Sequence, residues 1–387
     1  MNRLSSIVEQ IPKSGIRDFF EIVQSMENVI SLGIGEPDFV TPWHIREAAI
    51  YALERGKTAY TSNLGLPRLR KAIAHYVSEK LGVSYDPRNE ILVTVGVSEG
   101  IDLALRAVLN PGDEVLYHEP CYVSYAPTIL LAGGLPKPIP TRLEDDFILF
   151  SSAIEKAITP RTRVLLLNFP TNPTGAILPR SELLKIAELC IAHDLLVITD
   201  EIYSELTYDQ VEHHSIAALE GMKQRVILLH GVSKAFAMTG WRLGFACGPD
   251  DLIGGMMKIH QYAILCAPNM LQEAAIEALE SGAPSLLKMR NQYAQRRDFV
   301  AKRCQELGLP FSFPRGAFYI FPSIAHLGFS SKEFAMQLLH KKKVALIPGT
   351  AFGESGEGFV RCSYATSMEK LHDAFSRIEE FLHERKS

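Results

Sequence analysis

The sequence predicts an α/β protein, with a large domain whose mostly parallel central sheet is sandwiched by helices and a smaller α/β domain near the C-terminus. Three observations predict it. Short, continuously apolar runs rich in leucine and β-branched residues recur through the middle of the chain, as strands buried on both faces require. Amphipathic stretches of helical period separate them. The length, 387 residues, exceeds one average domain, and the texture changes toward the C-terminus.

Taken in order, the candidate strands are Ile91–Val95, Glu114–Tyr117, Arg163–Asn168, Leu195–Thr199, Val226–His230 and Leu243–Cys247. Helical patterns such as Glu99–Leu109 and Arg180–His193 lie between them. Polar residues gather at the strand ends, where open α/β sheets bind ligands. A long charged helix is expected over Gly282–Leu307, followed by short strands near Ala317–Phe321 and Val360–Tyr364 and a closing helix from Met368. The expected division is a segment 1–40 folding back onto the small domain, a large domain 41–285 and a small domain 286–387.

The chain is 47% hydrophobic and 22% charged, with 40 basic against 44 acidic side chains and a formal charge of −4. That balance suits an ordinary globular protein and lacks the positive excess with which nucleic-acid binders displace counterions. No run approaches the ~18–20 consecutive apolar residues of a membrane span, and MNRLSSIVEQ has no secretory apolar core. Cys121, Cys190, Cys247, Cys266, Cys304 and Cys362 form no C-x-x-C pair. Reduced thiols, no metal and a cytoplasmic location are therefore expected.

Some motifs mislead. LVITDE at Leu196–Glu201 resembles a Walker B strand, and Gly56-Lys57-Thr58 supplies the end of a Walker A loop. The glycine that the loop needs upstream is replaced by Tyr51, and the triplet follows a helical run rather than a strand. Gly33-x-Gly35 lacks the third glycine of a dinucleotide loop. His213-His214 sits among polar residues and suits a solvated loop better than a metal site.

SKAFAMTGWRLG at Ser233–Gly244 carries more chemistry. Lys234 follows a buried strand among small and apolar residues, where desolvation would lower its basicity and favour the neutral nucleophile. Arg242 could supply charge for a phosphate. Alone, such a lysine is more often a solvated surface charge; its companions change the weighing. They are LGIGEPDF at Leu32–Phe39, YTSNLGLPRLR at Tyr60–Arg70, NFPTNPTG at Asn168–Gly175, TDEIYSEL at Thr199–Leu206 and VRCSYATS at Val360–Ser367.

In this order the segments resemble the class I/II aminotransferases, pyridoxal-phosphate enzymes of fold type I, over essentially the whole chain. SGIRDF at Ser14–Phe19, EIYSELTYD at Glu201–Asp209 and GAFYIFPSI at Gly316–Ile324 are similar to the bacterial aminotransferase A branch, which includes N-acetyl-diaminopimelate aminotransferases. The resemblance implies pyridoxal 5′-phosphate as cofactor, with Lys234 as its Schiff-base lysine and proton shuttle. It implies Asp200 as partner of the ring nitrogen, Asn172 and Tyr203 on the ring hydroxyl, and Tyr122 stacked on the ring. Phosphate contacts are implied for Val97 and Ser98 in the turn Gly96–Gly100, for Ser233 and Arg242, and for Tyr60 of a neighbouring subunit. Gly35, Asn172 and Arg361 fall on the substrate side, Arg361 gripping the α-carboxylate as a guanidinium fork can.

Each residue also has a plainer use. Asp200 could cap a helix, Tyr203 and Tyr122 could be packing, Asn172 could serve the turn Pro173-Thr174-Gly175, and Arg361 could form a surface ion pair. Two departures stand out. Gly231 replaces a serine that the family often has three residues before the lysine. Ser98 occupies a position that is basic in some relatives acting on acidic substrates, which speaks against strict aspartate specificity. The implied partners are an L-amino acid, a 2-oxo acid and a second copy of the chain, with glutamate/2-oxoglutarate or aspartate as one pair. A C–S β-lyase on the same fold is the alternative activity. A transcription regulator of this fold would need a DNA-binding domain ahead of Leu32, for which the preceding stretch is too short.

Overall fold

In the computed structural model, residues 3–11, 22–23 and 26–384 are described; the SGIRDF segment lies outside them. Strand β1 (Ile30–Ser31) pairs in parallel with Val344–Ala345, far along the chain. Seven strands then build the central sheet: β2 (Ile91–Thr94), β3 (Glu114–Glu119), β4 (Leu135–Pro140), β5 (Thr162–Asn168), β6 (Leu196–Asp200), β7 (Val226–Gly231) and β8 (Gly244–Cys247). Their spatial order is β2-β8-β7-β6-β5-β3-β4. All pairings are parallel except those of β8, which runs antiparallel to β2 and β7.

The continuous apolar runs have the expected cause. Along β5, Val164 and Leu166 join the hydrophobic cluster on one face, and Leu165 and Leu167 join the cluster on the other. Alternate side chains of a strand point to opposite faces, so a strand covered on both sides must be apolar throughout. Full burial of each such leucine contributes about 1.5–3 kcal/mol relative to exposure.

Strand β4 escapes that logic. Its sequence is LPKPIP, with Pro136, Pro138 and Pro140 at alternate positions. Peptide N–H groups alternate in direction along a strand, so these prolines remove donors on one side only. Leu135 N still donates to Asp113 O at 2.8 Å, toward β3. As the edge strand, β4 can turn its donor-free side outward, which is where prolines are tolerated and where further strand pairing is discouraged.

Toward the C-terminus lies a three-stranded antiparallel sheet ordered β11-β12-β9, from β9 (Tyr319–Ile320), β11 (Ile347–Pro348) and β12 (Val360–Ser363). Strand β10 (Val344–Ala345) receives β1, tying the start of the chain to its C-terminal part. Helices Ala283–Glu306, Ser331–Lys342 and Met368–His383 pack around these strands. Ser330 and Glu333 form a reciprocal capping box at the start of the second helix, and the Ser367 side chain caps the third.

Two local expectations need correction. The helix after β2 begins at Gly96, not Glu99, because Glu99 reaches back to accept the Val95 N–H and closes the first turn. Gly96–Gly100 is therefore the opening of that helix rather than a separate turn. His213 is no solvated loop residue: its Nε2 lies 2.7 Å from Oε2 of buried Glu201, and its side chain is 11% exposed.

Candidate active site

The carboxyl ends of the parallel strands converge on one cavity of about 500 Å³. Strand β5 ends in Asn168 and leads to Asn172, β6 ends in Asp200 and leads to Tyr203, and β7 leads to Ser233 and Lys234. Gly35, upstream of the central sheet, and Arg361 from β12 line it as well. Val97, Ser98, Tyr122 and Arg242 line it too. Tyr60 is the expected site residue that this cavity does not hold; it stands 82% exposed elsewhere on the surface.

Lys234 is half-buried, and its Nζ donates to Gly35 O at 2.7 Å. Burial pulls the amine down to about 8, against the pull of Glu36 and Asp200 and helped by Arg361 and Arg242. It is therefore far easier to deprotonate than a surface lysine. Asp200 is 4% exposed and accepts from Tyr125 Oη at 2.9 Å and from Ile202 N at 3.2 Å. Burial pushes its carboxyl up to about 6, opposed chiefly by the Tyr125 hydrogen bond.

Arg361 is 3% exposed. Its Nη1 donates to Asn172 Oδ1 at 2.8 Å and its Nη2 to Gly33 O at 2.6 Å, while its Nε is buried without an acceptor. The guanidinium lies over the Tyr319 ring at 4.5 Å and the Phe352 ring at 4.8 Å. The Tyr203 and Tyr319 hydroxyls meet at 3.0 Å. Asn168 Nδ2 donates to Asp200 O at 2.9 Å, fixing the strand end beside the carboxylate.

The glycines of the site answer to close approaches. A Cβ on Gly35 would stand 2.9 Å from the Tyr319 hydroxyl. Gly96, at φ +77°, lies against Arg242, whose Nη2 would be 2.5 Å from an added Cβ. Gly231 pairs with Gly244, and a Cβ on it would come within 2.9 Å of Gly244 Cα and Leu243 O. Position 231 therefore has no space for a serine side chain.

Tyr125, Tyr319, Asn168, Glu36 and Thr239 also line the cavity. Sequence reasoning assigned them no role, although all but Tyr125 lie inside a quoted motif and Tyr125 stands three residues after Tyr122. Among the described residues, no group of His, Cys, Asp and Glu is placed to hold a metal.

A family model described as "Aminotransferase class I and II" matches residues 27–378. The chain belongs to the class I and II aminotransferases. It is similar to an aspartate aminotransferase of Pyrococcus abyssi, 47% identical over 99% of both chains. It is similar as well to aromatic-amino-acid aminotransferase 2 of Thermococcus litoralis, 46% identical over 99% of both chains. Among solved structures, an aromatic aminotransferase from Pyrococcus horikoshii superposes with a TM-score of 0.92 at 47% identity, covering 96% of this chain and 99% of that one. The fold is thus fold type I, and the aminotransferase works with its family's cofactor, pyridoxal 5′-phosphate.

The residues present fit that group. A buried carboxylate whose donors are neutral suits a protonated ring nitrogen. A helix N-terminus with Ser98, beside Ser233 and Arg242, suits a phosphate dianion. The orphaned Arg361 Nε is a buried donor awaiting an acceptor.

Proposed function

We propose that this aminotransferase moves the amino group of an L-amino acid to a 2-oxo acid, with glutamate/2-oxoglutarate or aspartate as one pair, in a cytoplasmic homodimer. The observation that carries the assignment of roles is the meeting of Lys234, Asp200 and Arg361 in one cavity. Val97, Ser98, Ser233 and Arg242 would hold the cofactor phosphate, Asp200 its ring nitrogen, Asn172 and Tyr203 its ring hydroxyl, and Tyr122 its face. When bound, the cofactor supplies a sink for the electron pair left at the substrate Cα when its proton departs.

Lys234 Nζ takes that proton and returns it. With a value near 8, roughly a tenth of the amines are neutral at pH 7, against well under a thousandth for an ordinary lysine. Arg361 holds the α-carboxylate and so orients the Cα–H bond toward Lys234. Asn172 and Gly33 fix the guanidinium before substrate arrives. Segments 1–40 and 286–387 would move as the small domain against 41–285, closing on the substrate and excluding water. Among the described residues, no helix is long and apolar enough to cross a membrane.

Tyr60 would reach the cofactor phosphate of the second subunit. Its surroundings suit delivery outward: Thr61 N donates to Cys266 Sγ at 3.4 Å and Asn63 Nδ2 to Leu265 O at 3.1 Å, bracing the loop beneath an exposed ring. Mixing Tyr60→Phe and Arg361→Ala chains should restore activity, since one site of the mixed dimer carries both lesions and the other neither. A fully active monomer on sedimentation would overturn the shared site. A panel of amino donors with 2-oxoglutarate tests the reaction itself. Release of pyruvate and ammonia without any acceptor would instead identify a lyase.

A further inference from the structure

We propose that Tyr125 is a positioning residue for transamination: one buried side chain holds both Asp200 and Tyr122 in place. The proposal rests on the roles given above to Asp200, as partner of the ring nitrogen, and to Tyr122, as partner of the ring face.

The geometry is specific. Tyr125 opens the helix Tyr125–Leu131 and is 1% exposed. Its hydroxyl donates to Asp200 Oδ2 at 2.9 Å. Its ring meets the Tyr122 ring edge-on, with centroids 5.6 Å apart and planes at 80°. A buried phenol must find an acceptor, and here the acceptor is the carboxylate that the reaction needs ionised. The same residue therefore sets the rotamer of the acid and the tilt of the aromatic beside it.

The other groups facing Asp200 cannot replace that hydroxyl. Ile202 N donates to Oδ1 only. Glu201, next on the chain, repels a second negative charge, and Lys234, following β7, attracts it. Glu201 is itself occupied by His213, Ser215 and Thr199. Tyr203 is engaged with Tyr319. Removing the Tyr125 hydroxyl leaves Oδ2 without its donor inside a buried site, where an unsatisfied carboxylate tends to take up a proton. A protonated Asp200 can no longer hold a proton on the ring nitrogen.

Tyr125→Phe keeps the ring against Tyr122 and deletes only the hydroxyl. In the cofactor-loaded protein, the acidic limb of the kcat–pH profile should move upward by about one pH unit or more, since a hydrogen bond to a charged group commonly has that strength. The visible absorption band of the bound cofactor should titrate with the same displacement. The KM for the amino acid and the melting temperature should change little. An unmoved limb and an unmoved band in Tyr125→Phe would overturn the proposal. So would a loss of stability and activity together at every pH in Tyr125→Phe, because that is the signature of packing alone. Measuring the wild type first separates the two levels. Failure of cofactor uptake or of transamination there overturns the functional assignment along with the proposal, whereas an active wild type with an unmoved variant limb overturns Tyr125 alone.

Discussion

Replacing Arg361 with lysine conserves charge and tests geometry. The guanidinium at this position is a planar fork, held by Asn172 Oδ1 at 2.8 Å and Gly33 O at 2.6 Å, with its Nε unpartnered. An ammonium on a shorter stem offers a single point of charge, so it cannot keep both anchors and also meet a carboxylate with two parallel bonds. A hydrogen bond to a charged group is worth ~1.5–3 kcal/mol. The loss of one, together with the loosening of its neighbour, costs the transition state ~3 kcal/mol, or about a hundredfold in kcat/KM, since each 1.36 kcal/mol is tenfold. The assay is steady-state transamination of an amino acid with 2-oxoglutarate, with cofactor content checked by its visible absorbance. A primary amine without an α-carboxylate is the control: wild type and Arg361→Lys should handle it alike, because it has nothing for the fork to hold. A fall in kcat/KM of less than about threefold, under ~0.7 kcal/mol, would refute the assignment of Arg361 to the carboxylate.

Other consequences can be checked in parallel. Asp200→Ala should lower transamination by several orders of magnitude while cofactor stays bound through its phosphate; near-normal turnover would remove Asp200 from the ring nitrogen. In the cofactor-free protein, Lys234 titrates near 8 when folded and near 10.5 when unfolded. The unfolded chain therefore binds more protons between those values, so stability should rise as pH climbs through that window. Lys234→Met should lack that rise in urea titrations, and identical pH dependence in the two proteins would count against the burial of the amine. Gly231→Ser should destabilise by ~1–3 kcal/mol, because its Cβ would press on Gly244 Cα and Leu243 O at 2.9 Å. An unchanged unfolding midpoint would show that the β7–β8 contact yields more easily than its spacing suggests.

Six of the seven strands of the central sheet and the order of the motifs were legible in the chain itself. A strand buried on both faces must be apolar at every position, and β5, β6 and β7 announce themselves that way. Lys234, Asp200 and Arg361 stood out as candidates because their residue types stand in distinctive company, and the fold brings the three to one cavity. Strand β4 was not legible, since LPKPIP reads as a loop until its place at the sheet edge explains where the missing N–H groups face. The start of the helix at Gly96 was hidden for a related reason: it depends on Glu99 folding back onto Val95, a choice that its neighbour His260, 2.8 Å away, helps to make.

What the sequence determined by itself, then, was most of the elements and, through its motifs, the family and its cofactor, because local patterns and motif chemistry are written in short stretches. What only the tertiary structure decided was who holds whom. Tyr125 meets Asp200 across 75 residues, Tyr203 meets Tyr319 across 116, and Arg361 meets Asn172 across 189. The lowered basicity of Lys234 and the raised carboxyl of Asp200 come from the burial that these contacts enclose. Desolvation is a property of the packed cavity and of no single segment, so it exists only once the distant segments have packed around it.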